Sequence, residues 1–257
     1  MIMQKILSFF SIVNPKPLFI LGNQKSGTTV IANLLSQATS KSLTSDFQNA
    51  ISHKTLQLEL NFHLLQFSDF IQDYKYEFSK DIIKEPFLSY YIDELINEFP
   101  KAKFVLIIRN PFQNIRSILN RLSVPGNLEE INFDNYNEII KTPVWKLAMQ
   151  SKMLGIDSSH YIEAMANRWN YIVNSYLKNS NRIHLVKYDD FLNNKETFIY
   201  NLSNNIELEI VENIEKEVNV QYQPKGNAEI DLKDFFGAVN YKMIERLCKE
   251  NMKKLGY

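Results

Sequence analysis

The sequence predicts an α/β fold in three layers, a central parallel β-sheet flanked by helices, and two observations predict it. Short apolar runs of strand character alternate with amphipathic helical stripes, and the first run enters its helix through a loop with two glycines, "GNQKSGTT". Strands that alternate with helices form parallel sheets because each crossover helix covers a face of the sheet. With 257 residues and 45% hydrophobic content, the chain can bury one large core, so a single domain over 1–257 is expected.

In chain order, "MIMQKILSFFSIVNP" puts Ile2, Ile6, Phe9, Phe10 and Val13 on one helical face, contains Lys5 and is too short to span a bilayer. Residues 1–15 therefore read as a docked helix or a loose terminus. The same stretch lacks the small-x-small cleavage site of a signal peptide, which gives a cytoplasmic expectation. "LFIL", Leu18–Leu21, is the first strand; Val30, Ile31, Leu34, Leu35 and Ala38 then recur at helical spacing from Thr28 onward. "DIIK", Asp81–Lys84, is a short, weaker strand. Ile92, Leu95, Ile96 and Phe99 make a helical stripe closed by Pro100, and "KFVLII", Lys103–Ile108, is a buried strand.

Asn110 caps the next helix, with Pro111 at its first position and Ile115, Ile118, Leu119 and Leu122 facing the core. Residues 123–160 break the rhythm with Pro125, Gly126, Pro143 and Gly155 and read as an insertion near the substrate. A long amphipathic helix is expected from Ser159 to Lys178, a strand from Ile183 to Tyr188, and a final helix from Ala238 to Lys254 after a mostly polar stretch over 204–237.

Lysine plus arginine and aspartate plus glutamate each number 29, so no global field selects nucleic acid or an acidic membrane, and an anion site must be local. Cys248 is the only cysteine, which excludes an intramolecular disulfide and a cysteine-based zinc site.

The glycine loop is where such a local site belongs. A glycine-floored turn between strand and helix points successive backbone N–H groups at one spot, and the helix end adds partial positive charge. In the P-loop of nucleoside triphosphatases a lysine follows the second glycine directly, and a serine or threonine then holds magnesium. Here Gly27 is followed by Thr28, and the lysine stands at position 25, inside the arch. The strand "FVLII" ends in Arg109, a fixed positive charge where a magnesium-binding protein would place an aspartate. No metal is expected on this reading. Asp189 and Asp190, at the end of "HLVKYDD", keep open a magnesium-dependent nucleotide kinase or NTPase, and a non-catalytic nucleotide-binding protein on the same P-loop-like fold is a third reading.

Together these residues resemble the sulfotransferases that use 3′-phosphoadenosine 5′-phosphosulfate (PAPS) and release 3′-phosphoadenosine 5′-phosphate (PAP). "GNQKSGTT" resembles the family's 5′-phosphosulfate loop, which implies Lys25, Ser26, Gly27, Thr28 and Thr29 as cofactor-binding residues. "RNPFQNIRS" resembles its 3′-phosphate segment, which implies Arg109 and Ser117, eight residues on. "VKYDDFLNN" is similar to a strand end that implies Tyr188 near the adenine, and "PKGN" implies Lys225 and Gly226 over the 3′-phosphate. Members acting on phenols and steroids often follow the threonine pair with tryptophan, where this chain has Val30. The resemblance is nearer to the carbohydrate, tyrosylprotein-type and bacterial members, and it implies a single sulfotransferase-like domain.

The same resemblance implies Lys25 at the bridging oxygen and Lys84, in "IIKEP", as a second lysine near the transferred group. Asp46, in "TSDFQN", matches the acidic base of the tyrosylprotein and several carbohydrate branches; His53 is the second candidate, and Glu59 lies further on. Where phenol and steroid enzymes have a histidine, this chain has Pro86. The acceptor is expected to be a small molecule or saccharide, meeting residues 46–78 and 123–160. There Phe47, Phe62, Phe67, Tyr74, Tyr76, Tyr136 and Trp145 supply aromatic surface or core.

Overall fold

A computed structural model describes residues 7–48, 50, 53, 55–220 and 230–257, and they divide into two units, Met1–Ile108 with Ser175–Tyr222 and Arg109–Asn174 with Gln223–Tyr257. The first unit holds a five-stranded sheet: β1 (Leu18–Leu21), β2 (Leu43–Ser45), β3 (Ile82–Lys84), β4 (Lys103–Ile108) and β5 (Ile183–Lys187). Their order is β2-β3-β1-β4-β5, and every neighbouring pair is parallel. A parallel sheet needs both faces covered, and the strands alternate accordingly. Leu18 and Ile20 of β1 join Val105 and Ile107 of β4 in one core with Ile31, Leu34 and Leu35 of α1 (Thr28–Thr39). Phe19 and Phe104 point the other way, their rings stacked at 5.3 Å, and Phe78 and Phe99 pack on Phe19.

Among the described residues between β2 and β3 are the short helices α2 (Leu56–Asn61), α3 (Phe67–Asp73) and α4 (Lys75–Phe78). A 3₁₀ turn, Pro86–Tyr90, and α5 (Ile92–Glu98) lead from β3 to β4. In the second unit, α6 (Pro111–Leu122) starts as expected: the Asn110 side chain accepts the Phe112 N–H at 3.1 Å and Pro111 stands at the first position. The segment after it contains α7 (Asn137–Lys141) and α8 (Val144–Met149), followed by α9 (Tyr161–Lys178), which continues into the first unit. Beyond β5 the first unit closes with α10 (Tyr188–Asn193) and α11 (Lys195–Asn205). The last helix of the second unit, α12 (Leu232–Lys254), is interrupted at Gly237 (φ 65°, ψ 166°), so its regular part starts at the expected residue, Ala238.

Two expectations change. β2 was not among the expected strands, and the strand Ile183–Tyr188 stops at Lys187, because Tyr188 opens α10 with Lys187 as its N-cap. Among the described residues no helix is long and apolar enough to cross a membrane.

Candidate active site

β1 runs straight into the glycine loop, and the loop's two glycines have separate steric causes. Gly22 has φ 150°, and a Cβ there would lie 2.5 Å from the Ile107 carbonyl oxygen of the adjacent strand. Gly27, the N-cap of α1, has φ 95°, and its Cβ would strike the Tyr188 ring at 2.2 Å. Only glycine meets both demands. Lys25, half-buried at the top of the loop, also has positive φ, 66°. Asn23, Ser26 and Thr28 are buried; Ser26 donates its N–H to the Asn23 carbonyl at 3.1 Å, a closed turn under Lys25. The N-cap of α1, Gly27, has no side chain with which to cap it, and the first turn carries no acidic residue. Neither the N-cap nor the first turn of this 12-residue helix thus places a negative charge at its positive end, which suits an external anion.

The 3₁₀ turn after β3 braces the loop from below. Ser89, fully buried, accepts the Gly22 N–H at 2.7 Å and donates to the Gly22 carbonyl at 3.2 Å. The Tyr90 hydroxyl donates to the Asn23 side-chain oxygen at 3.2 Å.

Lys84 ends β3, in register with Ile20 of β1 on one side and Ser45 of β2 on the other. This puts a lysine that is 2% exposed between the glycine loop and the residue after β2, which is Asp46. The Lys84 Nζ lies 2.5 Å from Asp46 Oδ1, and the Asp46 N–H donates to the Lys84 carbonyl at 2.9 Å. Asp46 takes a left-handed backbone, φ 64°, and its side chain stays one-third exposed. The structure thus joins two of the expected catalytic residues. His53 sits apart from that pair in its contacts: it faces Glu59 at 3.5 Å, nearly half exposed. Phe47 is fully buried, with its ring against Tyr74, Phe78 and Phe87, so it belongs to the core rather than to an acceptor surface.

In the second unit, Arg109 precedes α6; its guanidinium reaches the Gln113 side-chain oxygen at 3.4 Å, and its carbonyl accepts the Trp169 indole N–H at 2.9 Å. Ser117 lies two turns along the same helix and is half-buried. Lys225 and Gly226 lie outside the described residues. No group of three or more histidine, cysteine, aspartate and glutamate side chains among the described residues is arranged to hold a metal ion.

The sequence model of the sulfotransferase family matches residues 40–212, two thirds of the chain, from the end of α1 through Asp46, Lys84, Arg109, Ser117 and Tyr188. The chain belongs to the sulfotransferase family. No curated protein matches it in sequence. Its fold is that of solved sulfotransferases. One from Mycobacterium avium superposes with a TM-score of 0.56 at 14% identity, over 98% of this chain and 80% of that one. Another, from Mycobacterium tuberculosis, gives 0.52 at 11%, over 95% and 79%. A mouse sulfotransferase crystallised with PAP gives 0.52 at 11%, over 97% and 88%.

The structure of this sulfotransferase also places beside the glycine loop and the Lys84–Asp46 pair residues that the sequence did not mark. Glu85, Ser89 and Tyr90 had no signal beyond adjacency to Lys84. Glu85 is fully buried and accepts the N–H groups of Phe47 at 2.8 Å and Phe87 at 3.1 Å. Burial among apolar rings, with Asp46 adding repulsion, pushes its carboxyl up to about 7, against the two N–H bonds and Lys84, which favour the ionised form.

Proposed function

We propose that this sulfotransferase transfers the sulfuryl group of PAPS to a hydroxyl or amine of a saccharide, lipid or secondary metabolite. The observation that carries the reading is the start of α1 at a glycine N-cap, with no acidic residue in its first turn, and Lys84 and Asp46 at the ends of the neighbouring strands. Phosphosulfate suits the loop: it offers several anionic oxygens to backbone N–H groups and to Lys25, Ser26, Thr28 and Thr29. The PAP bound to the mouse sulfotransferase supports PAPS as donor. By resemblance of motif, Arg109 and Ser117 take the 3′-phosphate, Tyr188 lies at the adenine, and Lys225 with Gly226 closes over the phosphate.

In the reaction, Asp46 accepts the proton of the acceptor hydroxyl as its oxygen bonds to sulfur. Lys25 and Lys84 meet the negative charge that develops as the sulfur–oxygen bond to the leaving phosphate breaks, and PAP departs. The Lys84–Asp46 contact holds the carboxylate beside the lysine while leaving it one-third exposed. His53, bound to Glu59, is the alternative base. Acceptor contacts are assigned to residues 46–78 and 123–160.

A thermal-shift panel tests the donor. Stabilisation by PAP without metal is expected, and a response only to ATP with magnesium would replace this reading with a nucleotide kinase. Labelled PAPS offered with a panel of saccharide, phenol and alkyl-alcohol acceptors then reads the transfer itself.

A further inference from the structure

We infer that Glu85 is a positioning residue that ties the Asp46 turn to the donor loop through one buried carboxylate. The inference rests on the reading of Lys84 and Asp46 as part of the transfer site. Its geometry is the following. Glu85 Oε2 accepts the Phe47 N–H at 2.8 Å, the peptide group immediately after Asp46. Glu85 Oε1 accepts the Phe87 N–H at 3.1 Å and so caps the 3₁₀ turn Pro86–Tyr90. That turn holds Gly22 through Ser89 and Asn23 through Tyr90. One side chain therefore fixes two backbone segments that share no direct hydrogen bond between Phe47 and Phe87, one carrying Asp46 and the other bracing the phosphate loop.

Asp46 needs such a support. Its left-handed backbone is uncommon for a residue with a side chain and persists where the surroundings hold it. The Phe47 N–H bond to Glu85 pins one side of Asp46, and the Asp46 N–H bond to the Lys84 carbonyl pins the other. With both in place the Asp46 carboxylate reaches the Lys84 Nζ. Glu85 is buried, and the rings of Phe47 and Phe87, whose N–H groups it accepts, meet edge to face at 6.2 Å. Above about pH 7, where Glu85 is a carboxylate and where the variant is assayed, an amide at position 85 has one acceptor oxygen where the carboxylate has two. Glu85→Gln therefore releases one of the two segments whichever way it turns.

The test compares Glu85→Gln with Asp46→Asn by PAP titration, by kcat and KM with labelled PAPS on the best acceptor of the panel, and by crystal structure. Asp46→Asn keeps a residue that tolerates the left-handed backbone and is expected to lose about 100-fold in kcat. Glu85→Gln is expected to lose about 10-fold or more in kcat or in PAP affinity at a temperature well below its unfolding midpoint, with the Asp46–Lys84 contact or the Ser89–Gly22 contact broken in its crystal structure. Both contacts intact, with kcat and PAP affinity unchanged, would overturn the inference even if the variant melts earlier. Should Asp46→Asn retain full turnover, the base assignment fails by itself, while the crystal structure of Glu85→Gln still decides the positioning role. If Glu85→Gln does not fold, Glu85→Asp, with both oxygens on a shorter stem, is read by the same three measurements.

Discussion

Replacing Gly27 by alanine tests the packing that shapes the glycine loop. The added Cβ would lie 2.2 Å from both Cδ2 and Cε2 of Tyr188, where carbon atoms ordinarily sit about 3.5–4.0 Å apart. The ring must therefore retreat by on the order of 1 Å. Overpacking of this kind costs about 1–3 kcal/mol. The φ of 95° adds a second cost, since a left-handed backbone disfavours an L side chain by about 1–2 kcal/mol. Gly27→Ala should then destabilise by about 2–5 kcal/mol, a large share of the total stability of a domain. Urea unfolding of the wild type, Gly27→Ala, Tyr188→Ala and the double variant separates the two terms. With the ring gone, only the backbone cost remains, so alanine at 27 should cost about 1–2 kcal/mol in the Tyr188→Ala background. A coupling of about 1–3 kcal/mol is the expected result. Strictly additive losses would mean that Tyr188 yields freely, and would refute the claim that its ring is what demands glycine at position 27.

Three further outcomes follow from the site. Lys25→Ala should lower transfer from labelled PAPS by about 10²–10³-fold while leaving the urea midpoint near that of the wild type, because its proposed work is on developing charge. Arg109→Ala should weaken PAP binding by about 10–100-fold, the worth of a charged hydrogen bond, with a smaller effect on kcat; calorimetric titration measures it, and unchanged affinity removes Arg109 from the site. Burial holds the Glu85 carboxyl at about 7, against 4.5 for an ordinary glutamate, so between those pH values the folded chain keeps a proton that the unfolded chain has released. Stability should fall as pH rises from about 4.5 to about 7, by on the order of 3 kcal/mol, and urea midpoints across that range should flatten in Glu85→Gln.

The sheet's centre was legible because β1 and β4 are buried on both faces, and a strand buried on both faces reads as an unbroken apolar run. Helix α6 was legible from its own cap, Asn110 with Pro111. β2 was not, since a three-residue edge strand, Leu43–Ser45, has too few positions to show a period and exists by pairing with β3. Tyr188 was misplaced by one element for a similar reason: the apolar run continues past Lys187, but the ring is spent on covering Gly27. Lys25, Thr28 and Thr29 could be proposed from the loop's pattern alone. Glu85 could not, because a glutamate in sequence reads as a surface residue, and its partners, the N–H groups of Phe47 and Phe87, come from two segments that only the fold brings to it.

The contact between Lys84 and Asp46 depends on register more than on either residue. β3 lies between β2 and β1, so its last residue borders the Asp46 turn on one side and the end of β1, which runs into the glycine loop, on the other. A one-residue slip of β3 would turn Lys84 to the opposite face and put an isoleucine in its place. "IIK" by itself does not resist that slip, since all three residues are buried. Asp81, just before the strand, does: its carboxylate accepts the Ser42 N–H at 3.0 Å and the Ser42 hydroxyl at 2.7 Å, and its carbonyl accepts the Leu18 N–H at 2.8 Å. One residue thus clamps the starts of β1, β2 and β3 together, and the alignment it sets at the amino ends delivers Lys84 beside Asp46 at the carboxyl ends.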